Sequence, residues 1–547
     1  MNSLVLITIS IVAFLIAYAT YGSWLEKKWG VDVTKTTPAH AMEDGVDYVP
    51  AKAPVLLGHH FSSIAGAGPI VGPIAAAVFG WIPVFLWIII GSIFFGGVHD
   101  MGALFSSVRH EGKSIGEVIG DTMGKKGKQL FAVFAWLTLL LVVAAFTNIV
   151  AAAFVSTPEA ATSSLLFIIL AIGFGFAVYR KGMNLGTSTV IGVALLALAI
   201  WLGVLFPISL SIKTWMVLLL GYIFVASITP VWILLQPRDY LNSFILYAML
   251  AGGLLGLLFM RPSLQLPAVT SFKVGTSYMF PILFVTVACG AISGFHSLVA
   301  SGTTSKQLDT EKDVKLIGYG SMLIEGVLAV LAIISAAYIS QGKLTELLGA
   351  GGALNVFSDG LGTFIASMGI SFIVAKNFVT LAISAFALTS LDTATRLARF
   401  IFQEFFDVDA EKNPNAASFA NIMTNKYVAT LITVVLGGLL AFKGWKAVWP
   451  LFGSANQLLA ALALLSLAVW LKQSGREYRM ALYPMVFMFS VTLVALVFLM
   501  VANISNLVLL FFAVVLFILA IILILEAQKA FKLSPEKINA DASNKVN

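Results

Sequence analysis

The stretch from Leu57 to Pro73, LGHHFSSIAGAGPIVGP, opens one of many apolar segments and decides how the chain is interpreted. Its last part, residues 66–73, contains three glycines and two prolines. Such a segment cannot remain one continuous α-helix, because proline lacks an amide donor and glycine favours the unwound backbone. In lipid, backbone groups freed by a break must line a cavity or face protein. A broken membrane helix is therefore the best pointer in a sequence to a transporter's binding site.

The composition predicts an all-α polytopic membrane protein. The 547 residues are 59% hydrophobic and 11% charged, whereas soluble domains are about half apolar and a quarter charged. The single cysteine, Cys289, can form no internal disulfide. The first apolar segment lacks a basic start and a clean cleavage site, and is interpreted as an anchor and not a signal peptide. No Walker A, Gly-x-Ser-x-Gly or His-Glu-x-x-His motif occurs, which argues against direct ATP drive and hydrolase chemistry.

A bilayer-crossing helix needs roughly 20 apolar residues, and about 15 transmembrane helices are predicted. The predicted spans are 3–24, 55–80, 84–107, 129–155, 161–179, 186–206, 215–235, 242–260, 277–301, 316–339, 361–388, 426–441, 447–471, 481–502 and 506–526. With these spans, 26 of the 33 lysines and arginines fall on one side of the membrane and six on the other. The positive-inside rule then places the N-terminus outside and the C-terminus in the cytoplasm.

The span list predicts a 5+5 inverted repeat with extra helices. Residues 55–206 and 215–388 each hold five spans, and an odd number of spans gives two halves opposite orientations. Around them we place an N-terminal helix and loop (1–54), a cytoplasmic connector (389–425) and a C-terminal four-helix extension (426–547). The repeat is inferred from topology alone.

A second interrupted helix is predicted at the start of the second half, within residues 226–240. It carries Pro230 near its centre and Pro237 near its end. Two interrupted helices at matching positions would aim half-helix dipoles at a site near the membrane midplane. The alternative is chance, since prolines are common in membrane helices.

Several long motifs lie between residues 40 and 400. They are DGVDYVP at 44–50, GHHFSSIAGAGPI at 58–70, VHD at 98–100, SIGEV at 114–118, PVW at 230–232, LQPRDYLN at 235–242, GFHS at 294–297 and SGTTSKQ at 301–307. Together they resemble the carbon starvation protein A family. The resemblance implies uptake of peptides and pyruvate across the bacterial inner membrane, coupled to protons or another cation, and a leucine-transporter-type fold. Better-known members have a longer C-terminal part, so the resemblance carries no expectation about the function of that part for this chain.

Candidate substrate ligands lie in the two predicted breaks. They are Ser62, Ser63, Gly66, Gly68, Ser227, Thr229, Trp232 and Gln236. Hydroxyls, freed carbonyls and half-helix N-termini could bind a carboxylate or a small cation. The alternative for the glycines is close helix packing.

Ionisable groups inside a bilayer are costly and point to function. His59, His60, His99 and Asp100 lie near the cytoplasmic ends of two adjacent predicted helices. One interpretation is a gate or proton relay, because histidine titrates near neutral pH. A second is a metal site, although the spacing matches no zinc motif. The third is a structural cluster that caps the loop at 108–128.

The helix that carries His296 ends in Thr303, Thr304 and Lys306. The resemblance implies that this helix faces the first broken helix and helps to form a sodium site, with the threonines as ligands or Lys306 as a fixed ammonium. The alternative is that Lys306 complements a helix C-terminus.

Six further charged groups are candidates for coupling, gate or structural roles. Glu325 and Lys376 lie in neighbouring predicted spans and are expected to pair, as a structural ion pair or a coupling element. Arg238 and Asp239 are interpreted as gate salt-bridge partners. Asp392 and Arg396, four residues apart on a helix, are interpreted as a surface pair.

The sequence therefore predicts a secondary active transporter that imports pyruvate or a short peptide across the inner membrane. No cofactor is required, and a proton or cation is the coupling ion. Whether a metal ion is bound is left open. The partners are the small-molecule substrate and the lipid bilayer, with no nucleic acid. The alternatives are a membrane-embedded metal-dependent enzyme and a nutrient sensor. The sequence does not choose between peptide and pyruvate, proton and sodium, or monomer and dimer.

Overall fold

The computed structural model describes residues 2–45, 47–275, 277–406 and 414–532, and the described chain is mostly helical. The helices of the first half are α1 Ser3–Trp29, α2 Ala53–Ile64, α3 Gly68–Phe79, α4 Trp81–Arg109, α5 Ile115–Ser156, α6 Pro158–Arg180, α7 Leu185–Leu205, α8 Ile212–Ile228 and α9 Leu235–Met260. A one-turn helix, Pro38–Ala41, lies between α1 and α2.

The second half continues in the same way after a two-stranded hairpin of Lys273–Val274 and Ser277–Tyr278. Its helices are α10 Met279–Thr286, α11 Gly294–Val299, α12 Glu311–Ala337, α13 Gln341–Ala366, α14 Phe372–Phe406, α15 Pro414–Met423, α16 Lys426–Ala441, α17 Trp445–Gln473, α18 Arg479–Ala502 and α19 Leu507–Lys532. Residues 300–304 prolong α11 in a wider helical turn.

Within the described ranges, eleven helices are long and apolar enough to cross a membrane, or up to twelve with the bent pair α2–α3. The shorter apolar helices α8 and α16 and the interrupted pair α10–α11 fall outside this count. The chain is thus a multi-pass membrane protein of helices, while the number of about fifteen spans stays a prediction. Most of α12 and α17 is buried inside the protein, whereas α7 and α19 expose most of their surface, as expected of helices that face lipid.

The first predicted break is present. Helix α2 ends at Ile64, α3 begins at Gly68, and the two are bent by 43°. Pro69 stands in the first turn of α3, where its missing amide costs nothing. Every residue from Phe61 to Ile74 is buried, so the freed backbone groups face protein.

The predicted break within residues 226–240 is wrong in its form. Helix α8 ends at Ile228, six irregular residues follow, and α9 runs without interruption to Met260. Pro230 therefore ends one helix, and Pro237 lies in the first turn of the next, where proline is tolerated. The predicted spans 215–235 and 242–260 are accordingly displaced.

The second broken helix lies elsewhere, within the span predicted to be continuous at 277–301. Helix α10 ends at Thr286 and α11 begins at Gly294, with irregular backbone over 287–293. No proline marks this interruption, and Gly290 and Gly294 are its only glycines. The predicted span 361–388 is also divided, because Gly369 adopts a left-handed φ of 92° between α13 and α14.

Candidate functional site

The two helix breaks lie against each other in the protein interior. A Cβ atom added to Gly68 would stand 2.3 Å from Cys289 Sγ, and one added to Gly72 would stand 2.4 Å from the carbonyl oxygen of Thr286. Only glycine lets these backbones approach so closely. Both explanations of the glycines, a helix break and close packing, thus apply to the same residues.

The second break is held by α17, which belongs to the predicted C-terminal extension. Asn456 Oδ1 accepts the Phe295 amide at 2.8 Å, and its Nδ2 donates to Ser293 Oγ at 3.0 Å. Gln457 Nε2 donates to the Phe284 carbonyl at 3.2 Å. These two amides satisfy backbone groups on both sides of the break, as lipid requires. The sequence does not reveal this role, because an Asn-Gln pair in an apolar helix gives no indication of the groups to which it is hydrogen-bonded.

A chain of acids and histidines, His99–Asp100–His296–Glu325, crosses from α4 through α11 to α12. His99 Nδ1 and His296 Nδ1 lie 2.7 and 2.8 Å from the two oxygens of Asp100. His296 Nε2 lies 3.3 Å from Glu325 Oε2, and neither Glu325 oxygen has a hydrogen-bond partner among the described residues. All four side chains are completely buried. Adjacent imidazole and carboxylate groups without solvent form a route along which a proton can be held or passed.

A second cluster, which we call the charge lock, consists of His59, Arg238, Asp239, Asp392 and Tyr222. His59 Nδ1 lies 2.9 Å from Asp239 Oδ2, and Arg238 Nη2 donates to Asp239 Oδ1 at 2.7 Å. Arg238 also contacts Asp392, whose Oδ2 accepts the Tyr222 hydroxyl at 2.7 Å. The charge lock joins α2, α8, α9 and α14 through fully buried charges. The gate role of Arg238 and Asp239 stays a prediction.

Residues of the first break contact the charge lock and hydroxyl groups of neighbouring helices. Ser62 Oγ donates to the Asp239 carbonyl at 3.1 Å, and Ser390 Oγ donates to the Ser63 carbonyl at 2.9 Å. His60 Nδ1 lies 2.8 Å from Thr304 Oγ1. The helix that carries Thr304 does therefore face the first broken helix, as the family resemblance implied.

The remaining predicted ligands are dispersed. Gln236 donates to Gln307 at 2.8 Å. Thr229 bonds its own helix at the Val225 carbonyl, and Thr303 does the same at Val299. Ser227 Oγ lies 3.5 Å from Thr430 Oγ1, and Trp232 lies under the Arg180 guanidinium. A role for Gln236, Thr229, Ser227 and Trp232 in substrate binding, and for Thr303 in coupling, stays a prediction.

Two predicted ion pairs are wrong. Lys376 pairs with Asp359 at 3.0 Å and not with Glu325, which faces His296. Asp392 and Arg396 are buried and contact other groups: Asp392 meets Arg238, and Arg396 donates to the carbonyls of Ala226 and Thr229. Spacing could not exclude the second pair, because i,i+4 neighbours on a helix also contact other helices, and neighbouring spans along the chain do not reveal which side chains meet.

Lys306 lies over the rings of Tyr48 and Phe400 at 5.3 and 4.7 Å, an arrangement that stabilises its charge by cation–π attraction. The predicted metal candidates fall into separate clusters, since His59 faces Asp239 while His99 faces Asp100. In the part of the chain that the structure describes, no three His, Cys, Asp or Glu side chains are grouped to hold a metal ion.

Comparison with known proteins identifies related sequences over nearly the whole chain. The family profile described as "Carbon starvation protein CstA" matches residues 2–350 and 343–495. The Escherichia coli "Peptide transporter CstA" is 33% identical over 90% of this chain and 80% of its own length. The Bacillus subtilis protein of that name is 33% identical over 85% of this chain and 84% of its own. The Escherichia coli "Pyruvate/proton symporter BtsT" is 32% identical over 87% of this chain and 78% of its own.

The fold is also similar to that of a manganese transporter from Eremococcus coleocola. Its complex with an aromatic bis-isothiourea compound superposes with a TM-score of 0.54, at 11% identity, over 89% of this chain and 99% of the transporter. At this identity the likeness concerns the fold alone.

Proposed function

Because this chain belongs to the carbon starvation protein CstA family, we propose that it is a secondary active transporter. It imports a small carboxylate-bearing nutrient, pyruvate or a short peptide, across the inner membrane. Relatives carry the names of a peptide transporter and of a pyruvate/proton symporter. Both substrate classes share a carboxylate, which half-helix N-termini and freed backbone amides attract.

The observation that carries the proposal is the contact between the two helix breaks. Gly68 at the start of α3 meets Cys289 in the break between α10 and α11. Paired interruptions supply backbone donors and acceptors in the interior of the bundle, where a substrate can bind them. The substrate site lies at this contact, with Ser62, Ser63, Gly66 and Gly68 on one wall. Alternating access then moves one group of helices relative to the other around the two breaks.

The 5+5 inverted repeat is part of this proposal. Each broken helix is followed by an apolar span and later by a long helix. After α2–α3 these are α4 and α5. After α10–α11 they are α12 and α14, with α13 between them. The two long helices α5 and α14 pack against each other. The position of the second break favours a repeat that pairs α2 with α10, in place of one that begins at residue 215.

The buried chain His99–Asp100–His296–Glu325 is the proposed coupling element. It lies directly beside the second break, because His296 is the third residue of α11. A proton that moves onto this chain changes the charge next to the break, so that substrate binding and protonation are linked. The charge lock closes the cytoplasmic side through Arg238 and Asp239, as the N-out orientation predicts.

Uptake by the purified protein in liposomes tests the proposal. Labelled pyruvate or a labelled dipeptide should accumulate when the medium outside is more acidic than the lumen, and a protonophore should abolish the accumulation. Sodium gradients serve as the parallel condition. Failure of both substrates to accumulate under either gradient, with correctly inserted protein, would contradict a transport function.

The coupling role is tested by Glu325→Gln, which keeps the shape of the side chain but removes its proton site. We expect that this variant no longer responds to the pH gradient, while exchange of labelled for unlabelled substrate at equal pH persists. Glu346→Gln is the matched control, because Glu346 is an exposed carboxylate that pairs with Lys343. Gradient-driven uptake by Glu325→Gln at the wild-type rate would remove Glu325 from the coupling element.

A further inference from the structure

A polar chamber lies between α5, α8, α13 and α14, away from both buried clusters. Its volume is about 550 Å³, which falls within the roughly 300–1,000 Å³ typical of ligand pockets. The lining residues whose side chains can form hydrogen bonds are Ser156, Thr157, Asn355, Ser358, Lys376, Asn377 and Thr380. This composition is unusual for a helix bundle in lipid, where polar groups are costly unless they face water or a ligand.

The chamber connects towards the first helix break. A second cavity of about 180 Å³ shares Ala152, Ile212 and Leu354 with it and reaches Val71 of α3. Val71 is three residues beyond Gly68, where the two breaks meet. The second cavity therefore lies between the chamber and the proposed midplane site.

Lys376 is the only cation in the lining that the structure describes. Its ammonium contacts Asp359 at 3.0 Å, and its side chain remains 29% exposed. An ammonium has three donors, so further donors are available to a ligand. Beside it, the side-chain amide of Asn377 makes no hydrogen bond within the described part of the chain, and the residue is partly exposed. A cation and a free amide on adjacent residues suit a carboxylate.

We propose that this chamber is an outer capture site, at which Lys376 and Asn377 bind the carboxylate of the substrate before it enters the midplane site. The inference rests on the proposed transport function and adds a second site to it. Asp359 is a positioning residue that holds the ammonium at the chamber wall. The residues around the chamber adjoin the loops near 157, 207–211 and 340, which the positive-inside rule places outside.

The test compares Lys376→Met with Asp359→Asn in liposome uptake at varied pyruvate or dipeptide concentration. Loss of a charge-assisted hydrogen bond predicts a KM raised by roughly tenfold in Lys376→Met, with Vmax nearly unchanged. Lys376→Arg should restore most of the affinity. In Asp359→Asn the ammonium loses its competitor, so KM should stay the same or fall. Lys343→Met is the control, since Lys343 is exposed and lies outside the chamber lining.

A structural ion pair predicts a different pattern. Both variants would then lower protein yield, thermal stability and Vmax together, and KM would not separate them. That pattern, or an unchanged KM in Lys376→Met, would overturn the capture site. The transport function itself is judged separately, by whether the wild-type protein takes up substrate. C-terminally amidated dipeptide adds a second readout, because its affinity should not depend on Lys376.

Discussion

At the scale of single residues, the sequence points to ionisable side chains in the interior, but it does not identify their partners. His59, His99, Asp100, His296 and Glu325 are all buried and all contact another ionisable group. The predicted pairs Glu325–Lys376 and Asp392–Arg396 do not form. The cost of an isolated charge in lipid demands a partner, yet it does not say which helix supplies it.

Removal of Asp392 tests the charge lock. Asp392→Asn removes the negative charge from the buried acceptor that Arg238 and Tyr222 share, while Arg238 keeps Asp239 as its counter-charge. We expect the free energy of unfolding, measured by denaturation in mixed detergent, to fall by about 1.5–3 kcal/mol. In the exposed pair of Lys343 and Glu346, the variant Glu346→Gln should leave unfolding unchanged within error. Equal stability of the two variants would mean that Asp392 does not stabilise the charge lock.

At the scale of elements, the helix break with the highest local glycine and proline content was predicted most reliably. Three glycines and two prolines over residues 66–73 predict an interruption, and α2 and α3 are separated and bent there. The interruption at 287–293 has a much weaker signal, the glycines Gly290 and Gly294. It depends instead on α17, whose Asn456 and Gln457 satisfy the exposed backbone groups. A break that is stabilised from another helix cannot be read from its own residues.

Gly68→Ala tests the contact between the breaks. The added methyl group would stand 2.3 Å from Cys289 Sγ and 2.7 Å from Cys289 Cβ, so the breaks must move apart. We expect the free energy of unfolding to fall by about 1–3 kcal/mol and uptake to decrease. Adding Cys289→Gly should restore part of both, because it removes the colliding atoms.

Gly173→Ala is the matched control for this substitution, since a Cβ at Gly173 in α6 meets nothing within 4 Å. It should retain wild-type stability and uptake. Wild-type behaviour of Gly68→Ala would show that the two breaks are not tightly apposed, and would remove the main support for a shared site.

At the scale of the whole molecule, the bundle combines fully buried charged clusters with the polar chamber beside Lys376. The charge lock and the acid–histidine chain are buried completely, whereas the chamber beside Lys376 is partly open. If the chamber faces outwards, the described conformation is closed towards the cytoplasm. The excess of lysine and arginine on the predicted inner loops supports this orientation.

Labelling with a membrane-impermeant thiol reagent tests the orientation. The wild-type chain provides a silent background, because its one cysteine, Cys289, is buried. Lys343→Cys should react in intact cells, and Lys113→Cys should react only after permeabilisation, since the positive-inside rule places them on opposite sides. Both lysines are well exposed. The reverse pattern would invert the topology and place the chamber on the cytoplasmic side.

The sequence by itself determined the protein class, the first helix break and most of the ionisable groups in the interior, because hydrophobicity, glycine–proline content and charge in lipid are local properties. The tertiary structure alone decided the second break, the partners of each buried charge and the place of Lys376 in a chamber wall. These depend on which helices pack together, as α17 does against the break at 287–293. Contacts between helices distant in the chain leave no periodic trace in either of them.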